Sequence, residues 1–235
     1  MASHPTTVSP TGKKLIQGNG GLRMINIIDE ERSAFDIDEC QWQNDGEHLI
    51  CNRCGAKFSF STRRHHCRRC GKIFCGSCCK EKVVLPRLGF VDPQRVCMDC
   101  ISTAKKEMDL YEKYIPILIR GADFEINNAK GDIARCKLNS RTNRDLLFSN
   151  LKDTNDVPYE PVELQHVVSF QCLTDPLKQT QQGTSHLVGA ILNYLSEGEC
   201  KELKLSVANN LDNRKESLNF LLTLQKAMKM IFDSS

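Results

Sequence analysis

The chain has 235 residues, 40% of them apolar, which allows one sizeable core and one small module and so predicts two domains. No run approaches the roughly eighteen apolar residues needed to span a bilayer, and the opening "MASHPTTVSPTGKKLIQGNG" lacks the apolar centre of a secretory signal. A membrane-spanning or exported protein is therefore not expected, and 13 cysteines in a reducing compartment point to metal rather than disulfides.

In chain order, residues 1–37 are expected to be a flexible arm. A zinc-bound module is expected over 38–101, where four C-x-x-C pairs occur: Cys51 and Cys54, Cys67 and Cys70, Cys75 and Cys78, Cys97 and Cys100. Four pairs fill two closed four-thiolate sites with no position left for water, which predicts two structural Zn2+ ions, although spacing alone allows three ways of sharing the pairs. The module's few large apolar residues, Phe58, Phe60, Phe74 and Phe90, make its folding depend on metal. Residues 51–100 hold 11 Lys+Arg against 3 Asp+Glu, while 1–50 hold 4 against 8 and 101–235 hold 17 against 18, so this module is the part that faces an anion.

A helical linker is expected over 102–116, read from "STAKKEMDLYEKYIP" and ending before Pro116. Residues 117–235 then alternate probable-strand runs, "ILIRGADFEIN", "DIARCKLN", "DLLFSNL", "VELQHVVSFQC", "HLVGAILNYL" and "KELKLSVAN", with polar or Gly/Pro-bearing breaks. A terminal helix follows, with Asn213 and Glu216 spaced as a capping box and Leu218, Leu221, Leu222, Met228 and Phe232 as its apolar stripe. Six or seven strands closed by one helix resemble a PH-like domain, an antiparallel sandwich or barrel plugged by a C-terminal helix. Helices of that fold generally carry a tryptophan; Phe220 is the expected stand-in. The net charge of the region, −1, and the lack of a dense basic cluster, despite Lys130, Arg135 and Lys137, favour a protein partner over a lipid headgroup here.

Three motifs set among the cysteine pairs, "WQND" at 42–45, "RRHHCR" at 63–68 and "RVC" at 95–97, resemble the signatures of the FYVE zinc finger, a family whose members bind phosphatidylinositol 3-phosphate on endosomes. The resemblance implies a cross-brace, with Cys51, Cys54, Cys75 and Cys78 on one zinc and Cys67, Cys70, Cys97 and Cys100 on the other. It also implies a headgroup site built from Trp42, Asp45, Arg63, Arg64, His65, His66, Arg68 and Arg95. Guanidinium forks suit a phosphomonoester, and imidazoles donate from both nitrogens only when protonated, so the tightest grip is expected in mildly acidic conditions. Asp45 accepts from ring hydroxyls and repels a phosphate at a neighbouring position. By the same resemblance "GAKFSFST" at 55–62 is a turret loop whose tip, Phe60 and Ser61, enters the bilayer, while Lys57, Arg69 and Lys72 add nonspecific attraction to acidic membranes.

Basic clusters beside zinc also occur in nucleic-acid readers, and RING-type ubiquitin ligases share the cross-brace. No recognition helix is evident around the cysteines and the usual third-pair histidine ligand of a RING is absent, so neither nucleic acid nor ligase activity is expected. Nor does the chain assemble a nucleophile, base and oxyanion site, and closed zincs are not catalytic. The expected protein is a non-enzymatic adaptor on the cytoplasmic face of early endosomes and in the cytosol. Family members with this finger-plus-domain layout further imply a role in cell adhesion and migration, with a focal-adhesion component as protein partner.

Overall fold

The computed structural model describes residues 13–28, 31–127, 133–150, 159–179, 185–207 and 213–234. Its chain divides into two compact units, Met1–Arg32 with Asp36–Glu112, and Ser33–Phe35 with Lys113–Ser235.

The first unit opens with an antiparallel hairpin, β1 (Lys13–Gly18) and β2 (Gly21–Asn26), in which Leu15 faces Met24. This corrects the expectation of a flexible arm over 1–37 for the described part of it. The physical reason is a partner distant in sequence: Met24 N–H donates to Gly89 O at 2.8 Å, Val91 N–H to Leu22 O at 3.0 Å, and Arg23 bridges to Phe90, so β2 has somewhere to place its backbone polar groups. Two very short ladders follow, β3 (His65–His66) with β4 (Ile73–Phe74), and β5 (Glu81–Val83) with β6 (Gln94–Val96). Helix α1 (Met98–Asp109) closes the unit. Besides cysteines, its core cluster holds Phe74, Leu85, Leu88, Phe90, Val96 and Ala104.

The helical segment does not stop before Pro116. A π-helical turn (Leu110–Tyr114) leads into α2 (Ile115–Arg120), where Pro116 sits in the first turn, directly after the π-helical residues. The first expected strand run, 117–127, therefore opens as helix over 117–120 and becomes strand only from Ala122. In the second unit, β7 (Ala122–Ile126), β8 (Ile133–Leu138), β9 (Asp145–Asn150), β10 (Val162–Glu163), β11 (Val167–Gln179), β12 (Ser185–Ser196) and β13 (Glu199–Ser206) form one antiparallel sheet of order β10-β9-β8-β7-β13-β12-β11. Lys130 lies outside the described residues.

Helix α3 (Arg214–Phe232) buries Phe220, Leu221, Leu224, Ala227, Met228 and Ile231, a spacing of three and four that keeps one face inward. Phe220 meets Phe124 of β7 with ring centroids 5.5 Å apart, and buried Ser217 Oγ donates to Asp123 O at 2.9 Å. Leu222, expected in this stripe, is exposed because it falls off that face, and Phe232, the last residue of the helix, is 38% exposed. The capping box does not form either: Asn213 makes no side-chain cap, and Glu216 N–H donates instead to Asn213 O.

Candidate metal centres and anion site

The eight paired cysteines converge as two quartets, Cys51, Cys54, Cys75, Cys78 and Cys67, Cys70, Cys97, Cys100, the Sγ atoms of each lying within 4.8 Å of one another. Of the three possible partitions, this is the cross-braced one. Mostly buried thiols brought this close, with no disulfide among them, are a donor set for a soft tetrahedral cation; two structural zinc ions fit, and a closed shell of four thiolates leaves no catalytic position. Cys67 also fixes the basic motif. Its N–H donates to Lys72 O at 3.0 Å and its carbonyl accepts from Gly71 N–H at 2.8 Å, which makes a knuckle between β3 and β4. Gly71 sits at φ +71, and a Cβ there would collide with the Gln41 carbonyl, so only glycine lets the Trp42 segment lie against the knuckle.

Around this knuckle the predicted headgroup residues fall into three groups. Trp42 stacks on His66 with centroids 4.5 Å apart, and the Arg68 guanidinium carbon lies 5.1 Å from the indole centroid on a face of that ring. His66 Nε2 lies 2.8 Å from Gln43 O; since a carbonyl only accepts, that nitrogen carries hydrogen, and Asp45 Oδ1 stands 3.7 Å from it. A second group surrounds His65: burial, then the positive charges of Arg95, Arg68 and Arg63, push its pKa down. The three arginines thus stand near enough to His65 for their charge to disfavour its protonation. Arg63, His65, Ser61, Thr62 and Gly76 line an open cavity of about 610 Å³. Arg95 is held by a 2.7 Å bond from Nη1 to Cys79 O.

Arg64 turns elsewhere, with Nε donating to His48 O at 3.1 Å and its guanidinium over Phe58 at 4.9 Å. Phe58 is accordingly half-buried against the core, whereas Phe60 is 93% exposed. A tight turn explains the difference: Ser59 N–H donates to Thr62 O at 3.1 Å and Thr62 N–H to Ser59 Oγ at 3.2 Å, which pushes Phe60 and Ser61 outward.

Two findings depart from the sequence reading. Arg69, expected to add to the surface field, donates to buried Glu107 from Nε at 3.2 Å and Nη2 at 2.9 Å, and Arg87 reaches the same carboxylate at 3.5 Å. A paired arginine contributes little attraction to a membrane. Conversely, Leu49 and Ile50, which drew no attention in the sequence, are 66% and 51% exposed on the segment that pairs with the turret, through the Ile50 to Lys57 bridge and the bond from Phe58 N–H to Leu49 O. Their place before the first ligand cysteine was the only local signal.

Comparison with known proteins divides the chain in two. A family model described as the FYVE zinc finger matches residues 41–106, and one described as the zinc finger FYVE domain-containing protein 21 C-terminus matches residues 109–235. Mouse zinc finger FYVE domain-containing protein 16 is 46% identical over 66 residues, which cover 28% of this chain and 4% of that protein. The hepatocyte growth factor-regulated tyrosine kinase substrate of Drosophila melanogaster is 36% identical over 77 residues, 33% of this chain and 10% of that protein. Among solved structures, the LM5-1 FYVE domain from Leishmania major is 35% identical, with a TM-score of 0.27 over 34% of this chain and 88% of that one. The chain therefore spans a tenth or less of the length of those two curated relatives.

Proposed function

Since the chain belongs to the zinc finger FYVE domain-containing protein 21 family, with a FYVE zinc finger ahead of that family's C-terminal region, we propose that it is a non-enzymatic adaptor recruited to early endosomes by phosphatidylinositol 3-phosphate. The observation that carries this reading is the basic surface at the Cys67 knuckle, where Arg63 and His65 line one open cavity and the Arg68 guanidinium lies on the Trp42 ring that stacks on His66. Such a cluster repels its own members until an anion enters, and rigid placement lowers the ordering entropy of binding. The 3-phosphate would take the guanidinium donors, and Asp45 would accept from a ring hydroxyl. Arg64 would join by leaving His48.

Membrane residence would come from three weak terms together: the headgroup, the basic face, and an apolar wedge of Phe60 with Ser61, widened by Leu49 and Ile50. The second unit supports a PH-like assignment through its strand order, its terminal helix and Phe220 in the tryptophan's place. We assign it to a protein partner because two of its described basic residues are engaged, Arg135 with Asp123 at 2.9 Å and Arg144 with Glu163 at 2.6 Å. A focal-adhesion partner, and a part in adhesion and migration, rest on the chain-wide resemblance. Phe60→Ser tests the membrane geometry. Burial of one phenylalanine is worth about 1.5–3 kcal/mol, so affinity for vesicles carrying the lipid is expected to fall roughly ten- to hundredfold. Affinity for a short-chain, soluble form of the same lipid should stay unchanged. An equal loss of both would mean that Phe60 supports the headgroup site rather than the wedge.

A further inference from the structure

The N-terminal hairpin lies outside both matched regions, which begin at residue 41, yet its turn reaches the headgroup arginines. Gly20, between β1 and β2, has no room for a side chain: a Cβ would stand 2.7 Å from Arg68 Cγ and 3.1 Å from Phe90 Cε1 and Cζ. Its backbone is not left-handed, so the glycine is required by this contact and not by its conformation. Neither neighbour can give way cheaply. Phe90 is a buried core ring, and Arg68 is tied at its far end, with Nη1 donating to His66 O at 2.7 Å and the guanidinium on Trp42. Arg68 is thus held between the hairpin turn on one side and the indole on the other.

The hairpin itself is clamped. Arg23 donates from Nε to Leu88 O at 2.6 Å and from Nη1 to Glu39 Oε2 at 3.0 Å, and packs over Phe90 at 5.6 Å. The next turn residue extends the contact: a Cβ on Gly21 would lie 3.2 Å from Gln94 Nε2, beside Arg95 on the same strand. One small turn therefore touches Arg68 directly and adjoins the strand that presents Arg95.

We propose that the Gly18–Gly21 turn is a positioning element of the headgroup site, with Gly20 setting the torsions of the Arg68 stem. The inference rests on the phosphatidylinositol 3-phosphate reading. The hairpin then belongs to the lipid-reading module and is not a tether ahead of it. A methyl group at position 20 forces Arg68 off its rotamer while leaving both cysteine quartets untouched.

The test uses the full, zinc-loaded chain and calorimetry with short-chain phosphatidylinositol 3-phosphate. Gly20→Ala is expected to weaken binding about three- to tenfold, the effect of one forced off-rotamer torsion. Zinc content and partition onto phosphatidylserine vesicles should not change. In an Arg68→Ala background, assayed on vesicles rich in the lipid, Gly20→Ala should cost nothing more, because its effect runs through the missing stem. Arg23→Gln, which loosens the clamp without adding bulk, should lower headgroup affinity in the same direction. Wild-type affinity in both Gly20→Ala and Arg23→Gln, or a full further loss in the Arg68→Ala background, overturns the inference and leaves the lipid reading standing. A wild-type chain with no affinity for the short-chain lipid sinks the lipid reading and this inference with it.

Discussion

Chelation is expected to release two zinc ions per chain and to abolish lipid binding together with the fold of the finger. Besides cysteines, the finger's core cluster holds, among the described residues, six buried side chains: Phe74, Leu85, Leu88, Phe90, Val96 and Ala104. Ordering a chain costs about 1.5 kcal/mol per residue, and so few apolar groups cannot offset that over some sixty residues. Each four-cysteine site contributes on the order of 10 kcal/mol or more of apparent folding free energy. Cross-bracing makes the loss cooperative, because Cys67 and Cys70 lie in sequence between the two halves of the other quartet. Elemental analysis with circular dichroism checks this. Cys67→Ser should behave like partial chelation and remove the basic motif with it, since Cys67 anchors β3. The sheet and terminal helix of the second unit have their own core and are expected to survive. One zinc, or none, in a well-folded finger would overturn the cross-brace.

The second large effect is expected from Arg63→Gln with Arg68→Gln. A hydrogen bond from a charged donor contributes about 1.5–3 kcal/mol, so loss of both guanidinium groups should lower soluble headgroup affinity roughly hundredfold or more. Glutamine at 68 keeps part of the stem over Trp42, and Arg63 is exposed with its guanidinium over Phe60 at 5.8 Å, so neither change empties the core. Zinc content should stay at two. A double variant that binds within a few-fold of wild type would move the headgroup away from this cluster. One that loses zinc would show the arginines to be structural.

Both effects rest on features legible in the sequence, because ligand and charge chemistry reside in residue type. Eight cysteines in four pairs announce their metals wherever the backbone runs, and "RRHHCR" carries its charge with it. What stayed hidden depends on partners far along the chain. The hairpin looked like an arm because its strands alternate exposed and half-buried residues without a strong apolar face, and its docking segment lies 65 residues away at Leu88. Arg69 looked like surface charge until Glu107, 38 residues on, took it up. The apolar run at Ile115–Arg120 is short enough to suit strand or helix, and Pro116 reads as a stop unless it falls in a first turn. In α3, Leu222 was counted for its hydrophobicity, although the helical period places Leu221 and Leu224 inward and Leu222 outward.

The most direct measurement of the central claim is sedimentation of the full, zinc-loaded chain with vesicles carrying each of the phosphoinositide isomers in turn, at equal surface charge. The proposed headgroup site, with Arg63 and His65 on one cavity and Asp45 beside His66 as the proposed barrier to a neighbouring phosphate, predicts selective binding to phosphatidylinositol 3-phosphate over its 4- and 5-phosphate isomers and over the more highly charged bis- and trisphosphates. Binding that rises only with vesicle charge, whatever the position of the phosphate, would contradict it.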